Sequence, residues 1–289
     1  MNTEIRTLTS HDIPAADTIL NLAFGTPGSR VDELNRCLTL QPDGWLLALI
    51  GGGPVGMVGA IDYGPFAWVG LMAVHPKVQR QGLGYLLMTH ILAWLEGRRC
   101  PLVRLDATQA GAGLYRKLGF AQAGFTCTVL DPKLEPLPDN SIAVAAMLEA
   151  DLPAVTALDA EVFGARRESL LRLYWRQYPG RSYIARTRHG ELAGYLIAQT
   201  TRIGPWISTS STAAEALLSA ALPLSFDGSI KIIVPAENKA ATQLFNRLGT
   251  VEGQSHLHMV KEFAVRHTNQ IHLPGRREFI YAQASFIAG

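Results

Sequence analysis

The 289-residue chain repeats itself, and an internal repeat constrains the fold more than any single motif does. D-I-P-A at Asp12 to Ala15, followed by F-G at Phe24 and Gly25, returns as D-L-P-A at Asp151 to Ala154 with F-G at Phe163 and Gly164, an offset of 139 at both places. P-V-G at Pro54 to Gly56 answers L-A-G at Leu192 to Gly194 at offset 138, and L-Y-R-K-L-G at Leu114 to Gly119 answers L-F-N-R-L-G at Leu244 to Gly249 at offset 130. The register slips by eight residues (138 against 130), so the second copy carries a deletion between Gly194 and Phe245. Between the copies, Asp131 to Asn140 holds prolines at 132, 136 and 138, which support neither a helix nor a central strand, and it reads as a linker. The expected organisation is a first domain over 1–130, a linker over 131–140, a second domain over 141–262 and a tail over 263–289 with a closing strand near 278–284.

Within the first copy, apolar periodicity and turn residues predict a strand near Ile5 to Leu8, then a helix opened by Ser10 or Asp12 with Pro14 in its first turn. A helix around Arg30 to Leu40 follows, with strands at Trp45 to Ile50, Val55 to Tyr63 and Phe66 to Val74, a helix near Leu83 to Glu96, a strand at Leu102 to Asp106, a helix at Gln109 to Leu118 and a strand at Phe120 to Val129. Gly44 to Ile61 carries no charge and is long enough to raise a membrane span, but its six glycines and Pro54 predict two strands and their turn. The fold class is α/β (α+β), with helices on both faces of a mixed sheet, and Phe24 and Phe163 are expected in equivalent core positions.

Composition narrows the function. A chain that is 48% hydrophobic and 17% charged is no disordered tail, and 26 Lys plus Arg against 24 Asp plus Glu gives no footprint for general nucleic-acid binding. Any anionic ligand must be held locally. Three cysteines without C-x-x-C spacing write neither a disulfide framework nor a zinc site, and M-N-T-E-I-R is no secretory start, so a cytoplasmic location is expected.

The local anion site is V-H-P-K-V-Q-R-Q-G-L-G, Val74 to Gly84, between the most apolar strand and an amphipathic helix. Gly82 and Gly84 let the backbone turn so that successive amides point into one concavity, which the helix dipole reinforces as a pyrophosphate cradle. Gln79 and Arg80 add a donor and a fixed positive charge at its rim.

This segment resembles the acetyl-CoA signature of the GNAT superfamily of N-acetyltransferases, Q/R-x-x-G-x-G/A, filled by Gln79, Gly82 and Gly84, with the upstream V-x-P as Val74 and Pro76. Leu105 to Phe120 resembles the family's later strand and helix ending in L-Y-x-x-x-G-F, so the resemblance spans about residues 3–130. It implies two splayed GNAT-like sheets. It also implies that the backbone of Met72, Ala73 and Val74 holds the pantetheine arm as an added strand, and that the loop of Gln79, Arg80, Gln81, Gly82, Leu83 and Gly84, with Tyr85 after it, holds the pyrophosphate. Tyr115 falls on the tyrosine that protonates the departing thiolate; a phenol with a pKa near ~10 suits that task.

Two positions depart from the family pattern. Thr108 stands where Asn is frequent seven residues before the tyrosine, while the second copy keeps Asn238, and Phe66 to Val74 offers no carboxylate to deprotonate the amine. Asp62, Asp106, His75 or a water chain remain open as the base. The second copy has no Q/R-x-x-G-x-G between Arg202 and its next helix, and Phe245 replaces the tyrosine, which resembles a tandem-repeat, YitH-like type with a degenerate C-terminal GNAT domain.

Arg166, Arg167, Arg172, Arg176, Arg181, Arg186 and Arg188 crowd one region with Glu168 as the nearby acid. Their spacing fits a solvated helix face, and the sharper alternative places Arg172 and Arg176 at the acceptor, favouring an anionic amine bound between the domains. His256 and His258 share a strand face, near His267 and His272, but have no spaced partners, so no metal is expected. The chain reads as an acetyl-CoA-dependent N-acetyltransferase for a small-molecule amine, with a protein-lysine or N-terminal acetyltransferase and a non-catalytic acyl-CoA sensor as the alternatives. No nucleic-acid or membrane partner is expected, and the sequence leaves the oligomeric state open.

Overall fold

The computed structural model describes residues 3–25, 28–133, 142–263 and 273–289. The first copy folds as β1 (Thr3–Thr7), α1 (Ile13–Phe24), α2 (Val31–Leu40), β2 (Trp45–Ile50), β3 (Gly53–Asp62), β4 (Ala67–Val74), α3 (Leu83–Gly97), β5 (Leu102–Ala107), α4 (Gln109–Lys117) and β6 (Ala121–Leu130). The second follows the same order as β7 (Ile142–Ala146), α5 (Leu152–Phe163), α6 (Glu168–Gln177), β8 (Ser182–Thr187), β9 (Leu192–Ala198), β10 (Arg202–Ser208), α7 (Ser211–Ala221), β11 (Lys231–Pro235), α8 (Lys239–Arg247) and β12 (Val251–Glu262), with β13 (Ile280–Ala282) in the tail. Most of the linker, residues 134–140, lies outside the described residues.

The repeated motifs recur for local physical reasons. Asp12 and Asp151 each close a turn by accepting from the backbone N–H three residues earlier, Thr9 at 2.8 Å and Leu148 at 2.9 Å. The following prolines sit in the first turns of α1 and α5, where no amide is needed. Gly25 and Gly164 end these helices at φ 62° and 89°, a left-handed conformation that favours glycine. Arg6 hydrogen-bonds both oxygens of Asp12 and holds its carboxyl well below the usual range.

The described residues form two compact units that do not follow the repeat boundary. The first gathers those up to 122, with 259–263 and 288; the second gathers 123–258, 273–287 and 289. In the first unit the sheet runs β1-β2-β3-β4-β5, antiparallel except for β4 and β5, and the strand next to β5 is the end of β12. Phe263 N–H donates to Pro101 O at 3.1 Å to seal that edge. In the second unit the order is β7-β8-β9-β10-β11, and the strand paired antiparallel with β11 is β6, from Lys231↔Leu130 to Pro235↔Thr126. The first copy therefore supplies β6 to the second copy's sheet and the second supplies the end of β12 to the first's, and the boundary read at residue 130 marks the sequence repeat, whereas packing changes hands at 122.

α3 lays Leu83, Leu87, Met88, Ile91, Leu92 and Leu95 against β3 and β4, a stripe at helical spacing. On β3 the chain is tight at Gly59. A Cβ at Gly59 would lie 1.9 Å from the Trp45 ring, whose indole N–H donates to Cys37 O at 2.9 Å and is not free to retreat. Gly59→Ala is expected to destabilise the protein by about 1–3 kcal/mol through overpacking, read as a lowered urea midpoint. An unchanged midpoint would mean that the ring relaxes. The uncharged stretch from Gly44 to Ile61 forms the β2–β3 hairpin, and among the described residues no helix is long and apolar enough to cross a membrane.

Phe24 and Phe163 are not equivalent in burial. Phe163 is 1% exposed and Phe24 is 41% exposed. The difference comes from the tail: Arg276 N–H donates to Val162 O at 2.7 Å, and the Pro274–Gly275 backbone lies so close to Gly164 that a Cβ there would meet it at 2.5 Å. Phe24 is flanked by the Arg30 guanidinium, 5.4 Å from its ring centroid.

Candidate active site

β4 and β5 pair in parallel only at Ala67↔Val103 and Trp68↔Arg104, and past these rungs the strands part. On its other side β4 breaks register with β3 between Met57 and Gly59, where Leu71 takes φ 50°. That bulge is the local reason for the splay, because an extra residue bends the strand and turns its backbone groups out of the ladder. Met72 lies just past the bulge and is half-buried, with Ala73 and Val74 buried after it.

A single 3₁₀ turn, Pro76–Val78, follows β4, and the His75 ring accepts from Lys77 N–H at 3.2 Å to cap it. Gln79 Nε2 donates to Val74 O at 2.9 Å. This side chain, expected as a donor at the rim, ties the loop back to the end of β4. Arg80 at φ 60° and Gly82 at φ 84° alternate with ordinary backbone, the geometry that turns successive amides to one side. Gly82 caps α3 with no side-chain hydrogen bond, so the first amides of the helix, Leu83, Gly84 and Tyr85, have no intrahelical acceptor and none from the cap side chain. A Cβ at Gly82 would meet open space, and glycine is needed there for its φ alone; a Cβ at Gly84 would meet Met72 Cε at 2.7 Å. The Leu83 side chain is buried in the core, so only its amide faces the loop, while Arg80, Gln81 and Tyr85 are exposed.

Tyr115 stands on α4, whose first turn is capped by Thr108 Oγ1 accepting from Gly111 N–H at 3.1 Å. Capping explains why a short polar residue occupies position 108 without Asn. The Tyr115 ring packs edge-on against Phe120 at 5.9 Å, and burial pushes its hydroxyl up to about 12. Such a phenol stays protonated at neutral pH and gives up its proton only to a strong base formed beside it.

The corresponding parts of the second unit differ at every chemical position. Where β4 leads into the glycine loop, β10 leads through Thr209 directly to α7, whose first turn is closed by Ser210 Oγ accepting from Ala213 N–H at 3.2 Å. Phe245 stands in place of the tyrosine and packs on Trp206, edge to face at 6.1 Å.

Two family models match the chain, an Acetyltransferase (GNAT) family model over residues 14–120 and an Acetyltransferase (GNAT) domain model over residues 155–273. The chain belongs to the GNAT acetyltransferase family, as a tandem of two such domains. It is 28% identical over 200 residues, 65% of its length and 67% of the relative's, to the uncharacterized N-acetyltransferase YitH of Bacillus subtilis (strain 168). Its fold is similar to a crystal structure of a candidate acetyltransferase from Pyrococcus horikoshii, with TM-score 0.84, 27% identity and coverage of 99% and 96% of the two chains. A tandem GNAT protein from the clavulanic acid biosynthesis pathway superposes with TM-score 0.63 at 16% identity, covering 90% and 98%.

Of the groups weighed as base in this GNAT acyltransferase, Asp62 accepts from Arg98 Nε at 2.9 Å at the end of β3 remote from the bulge, and the His75 ring is the loop cap. Asp106 alone stands on one of the parting strands, past their last rung.

The arginines are opposed by more acids than sequence proximity showed. Arg172 pairs with Glu149 at 2.9 Å and with Glu168 at 3.4 Å, Arg176 reaches Glu149 at 3.9 Å, and Arg186 pairs with Asp151 at 2.9 Å. Arg167 makes a fully buried pair with Asp159 at 2.9 Å, and Arg181 donates to the carbonyls of Ala198, Gln199 and Ser225. On α6, Arg172 and Arg176 thus face Glu149 and Glu168, the pairing of a solvated helix face. His256 packs against Phe286 at 4.3 Å and His258 is fully buried; among the described residues no group of His, Cys, Asp and Glu could hold a metal, and His267 and His272 lie outside them.

Proposed function

We propose that the first unit transfers an acetyl group from acetyl-CoA to the primary amine of a small molecule by direct attack in a ternary complex. The observation that carries this reading is the uncapped, glycine-turned start of α3 beside a splayed β4–β5 pair; in the second unit the helix after the parting strand starts without a glycine loop and is capped by Ser210. The amides from Arg80 to Tyr85 and the Arg80 charge suit a pyrophosphate, the Gln79 N–H donating instead to Pro76 O in the preceding turn. Met72, Ala73 and Val74 offer backbone groups along the parted strand to an extended pantetheine arm.

In the reaction, the ammonium gives one proton to Asp106 or to water, and the freed amine nitrogen attacks the thioester carbonyl. As the C–S bond breaks Tyr115 protonates the leaving thiolate, and the second nitrogen proton passes through solvent to restore the Tyr115 hydroxyl. Holding both reactants at one bulged strand supplies much of the rate, since the second encounter becomes intramolecular. The first copy keeps the Tyr115 hydroxyl where the second has Phe245, and a sensor that binds acyl-CoA without turnover needs no such hydroxyl. Transfer to a protein lysine or N-terminus shares all of these steps and differs only in the acceptor.

Thiol release from acetyl-CoA across a library of small amines and lysine peptides tests the reading. Turnover with at least one small amine supports it; turnover with peptides alone, or tight binding with no release, replaces it. Asp106→Asn is expected to shift the rise of kcat/KM to higher pH, because the amine must then be deprotonated in solution, and an unchanged pH profile assigns that proton to water.

A further inference from the structure

In the second unit β10 and β11 also pair in parallel at only two places, Arg202↔Lys231 and Ile203↔Ile232, and then part as β4 and β5 do. Here the gap is filled. β13 pairs antiparallel with β10 at Trp206↔Ala282 and Ile207↔Ile280, and on the other side Gln283 N–H donates to Ile233 O of β11 at 2.8 Å. Ile280, Tyr281, Ala282, Gln283 and Ala284 are each at most 2% exposed.

The receiving residues are specific to this strand. Asn238 caps α8 through Oδ1, which accepts from Ala241 N–H at 2.8 Å, and its Nδ2 donates to Ile280 O at 3.0 Å. Thr108, its counterpart in the first copy, does only the capping. Gln199 Nε2 donates to Ala284 O at 2.9 Å. Tyr281 stacks on Trp206 with ring centroids 5.1 Å apart, and Trp206 also packs edge to face on Phe245, the residue in the place of the catalytic-type tyrosine. A Cβ at Gly204 would lie 2.1 Å from Gln283 O, so the strand is seated by a close backbone approach that only glycine allows.

We infer that the second unit is a strand-receiving module: the slot that corresponds to the first unit's β4–β5 splay binds the chain's own segment 280–284 in the place of an extended cofactor arm. An extended peptide and a pantetheine arm present the same chemistry to parted strands, alternating amide donors and acceptors on a narrow, apolar-flanked chain, so one can replace the other with few substitutions. Asn238, Trp206 and Phe245 then act as the peptide's receptor. The second copy is retained because its ligand is built in, and this holds whether or not the first unit proves catalytic.

The test uses the full-length protein with a protease site inserted between residues 264 and 272, folded and then nicked, so that 273–289 stays only by non-covalent contact. The tail peptide is expected to co-elute with the body on gel filtration at micromolar concentration, and Asn238→Ala with Tyr281→Ala is expected to speed its release at least tenfold. Saturating acetyl-CoA is expected to leave its release rate unchanged. Hydrogen exchange on the intact wild type provides a readout that needs no variant, with the Gln283 amide expected to exchange as slowly as those of β9. Loss of the tail from the nicked wild type, release driven by acetyl-CoA, retention unaffected by both substitutions, or fast exchange at Gln283 would each overturn the assignment.

Discussion

Replacing Tyr115 by Phe is expected to lower kcat by roughly 10²-fold, the range for loss of one general acid, while the affinity for acetyl-CoA stays within error. The ring remains, so its edge-on contact with Phe120 and the packing of α4 are kept; only the hydroxyl, whose pKa burial raises to about 12, is lost. Without it the leaving thiolate must be protonated by solvent or depart as the anion. Single-turnover acetyl transfer, with calorimetry for the affinity, separates the two quantities. If the rate stays within about twofold of wild type when chemistry is limiting, Tyr115 is a packing residue and the acid lies elsewhere.

A fragment ending at residue 130 is expected not to fold. In it β5 has lost the end of β12 from its edge, and β6 has no β11 to pair with, leaving two strand edges whose apolar faces have no cover. Open edges of this kind favour association between chains. The fragment should show no cooperative urea transition and should aggregate, and co-expression with residues 131–289 should restore soluble protein that binds acetyl-CoA. A fragment that is monomeric, unfolds cooperatively and binds acetyl-CoA by itself would show that the strand exchange is dispensable. The same exchange means that truncating at the repeat boundary cannot isolate the acceptor contacts of the first copy.

Local structure was legible in the sequence because it rests on local chemistry. Trp45–Ile50 is a strand with the bounds its apolar run predicts, the glycine loop lies between β4 and α3, and the repeated D-x-P-A and F-G mark a turn and a helix end in both copies. The missing cradle of the second copy was equally visible, since a deletion and a Tyr to Phe exchange leave direct traces. What stayed hidden was pairing at a distance. β6 and β12 have the same pattern and the same place in their copies, so each fits either sheet and nothing in the sequence says which it joins. A closing strand could be predicted near residue 280, but its insertion between β10 and β11 depends on hydrogen bonds from Asn238 and Gln199, far away in the chain. Glu149, Asp151 and Asp159 reach the arginine cluster only through folding. Gln79 shows the same limit in the active loop, where its role as a tie to Val74 follows from geometry and not from its place in the motif.

One of the two sister domains is expected to hold acetyl-CoA, in a cradle made by the backbone at Gly82. Isothermal titration of the full-length protein with acetyl-CoA, in wild type and in Gly82→Val, reads this out. The position takes φ 84°, which a β-branched residue resists, so the substitution should collapse the turn that aims the amides without crowding any neighbour. One acetyl-CoA is expected per wild-type chain, with no measurable binding to a Gly82→Val variant whose unfolding midpoint is otherwise native-like. Two acetyl-CoA molecules per chain, or one bound with unchanged affinity by the folded variant, would rule out a single cradle at Gly82.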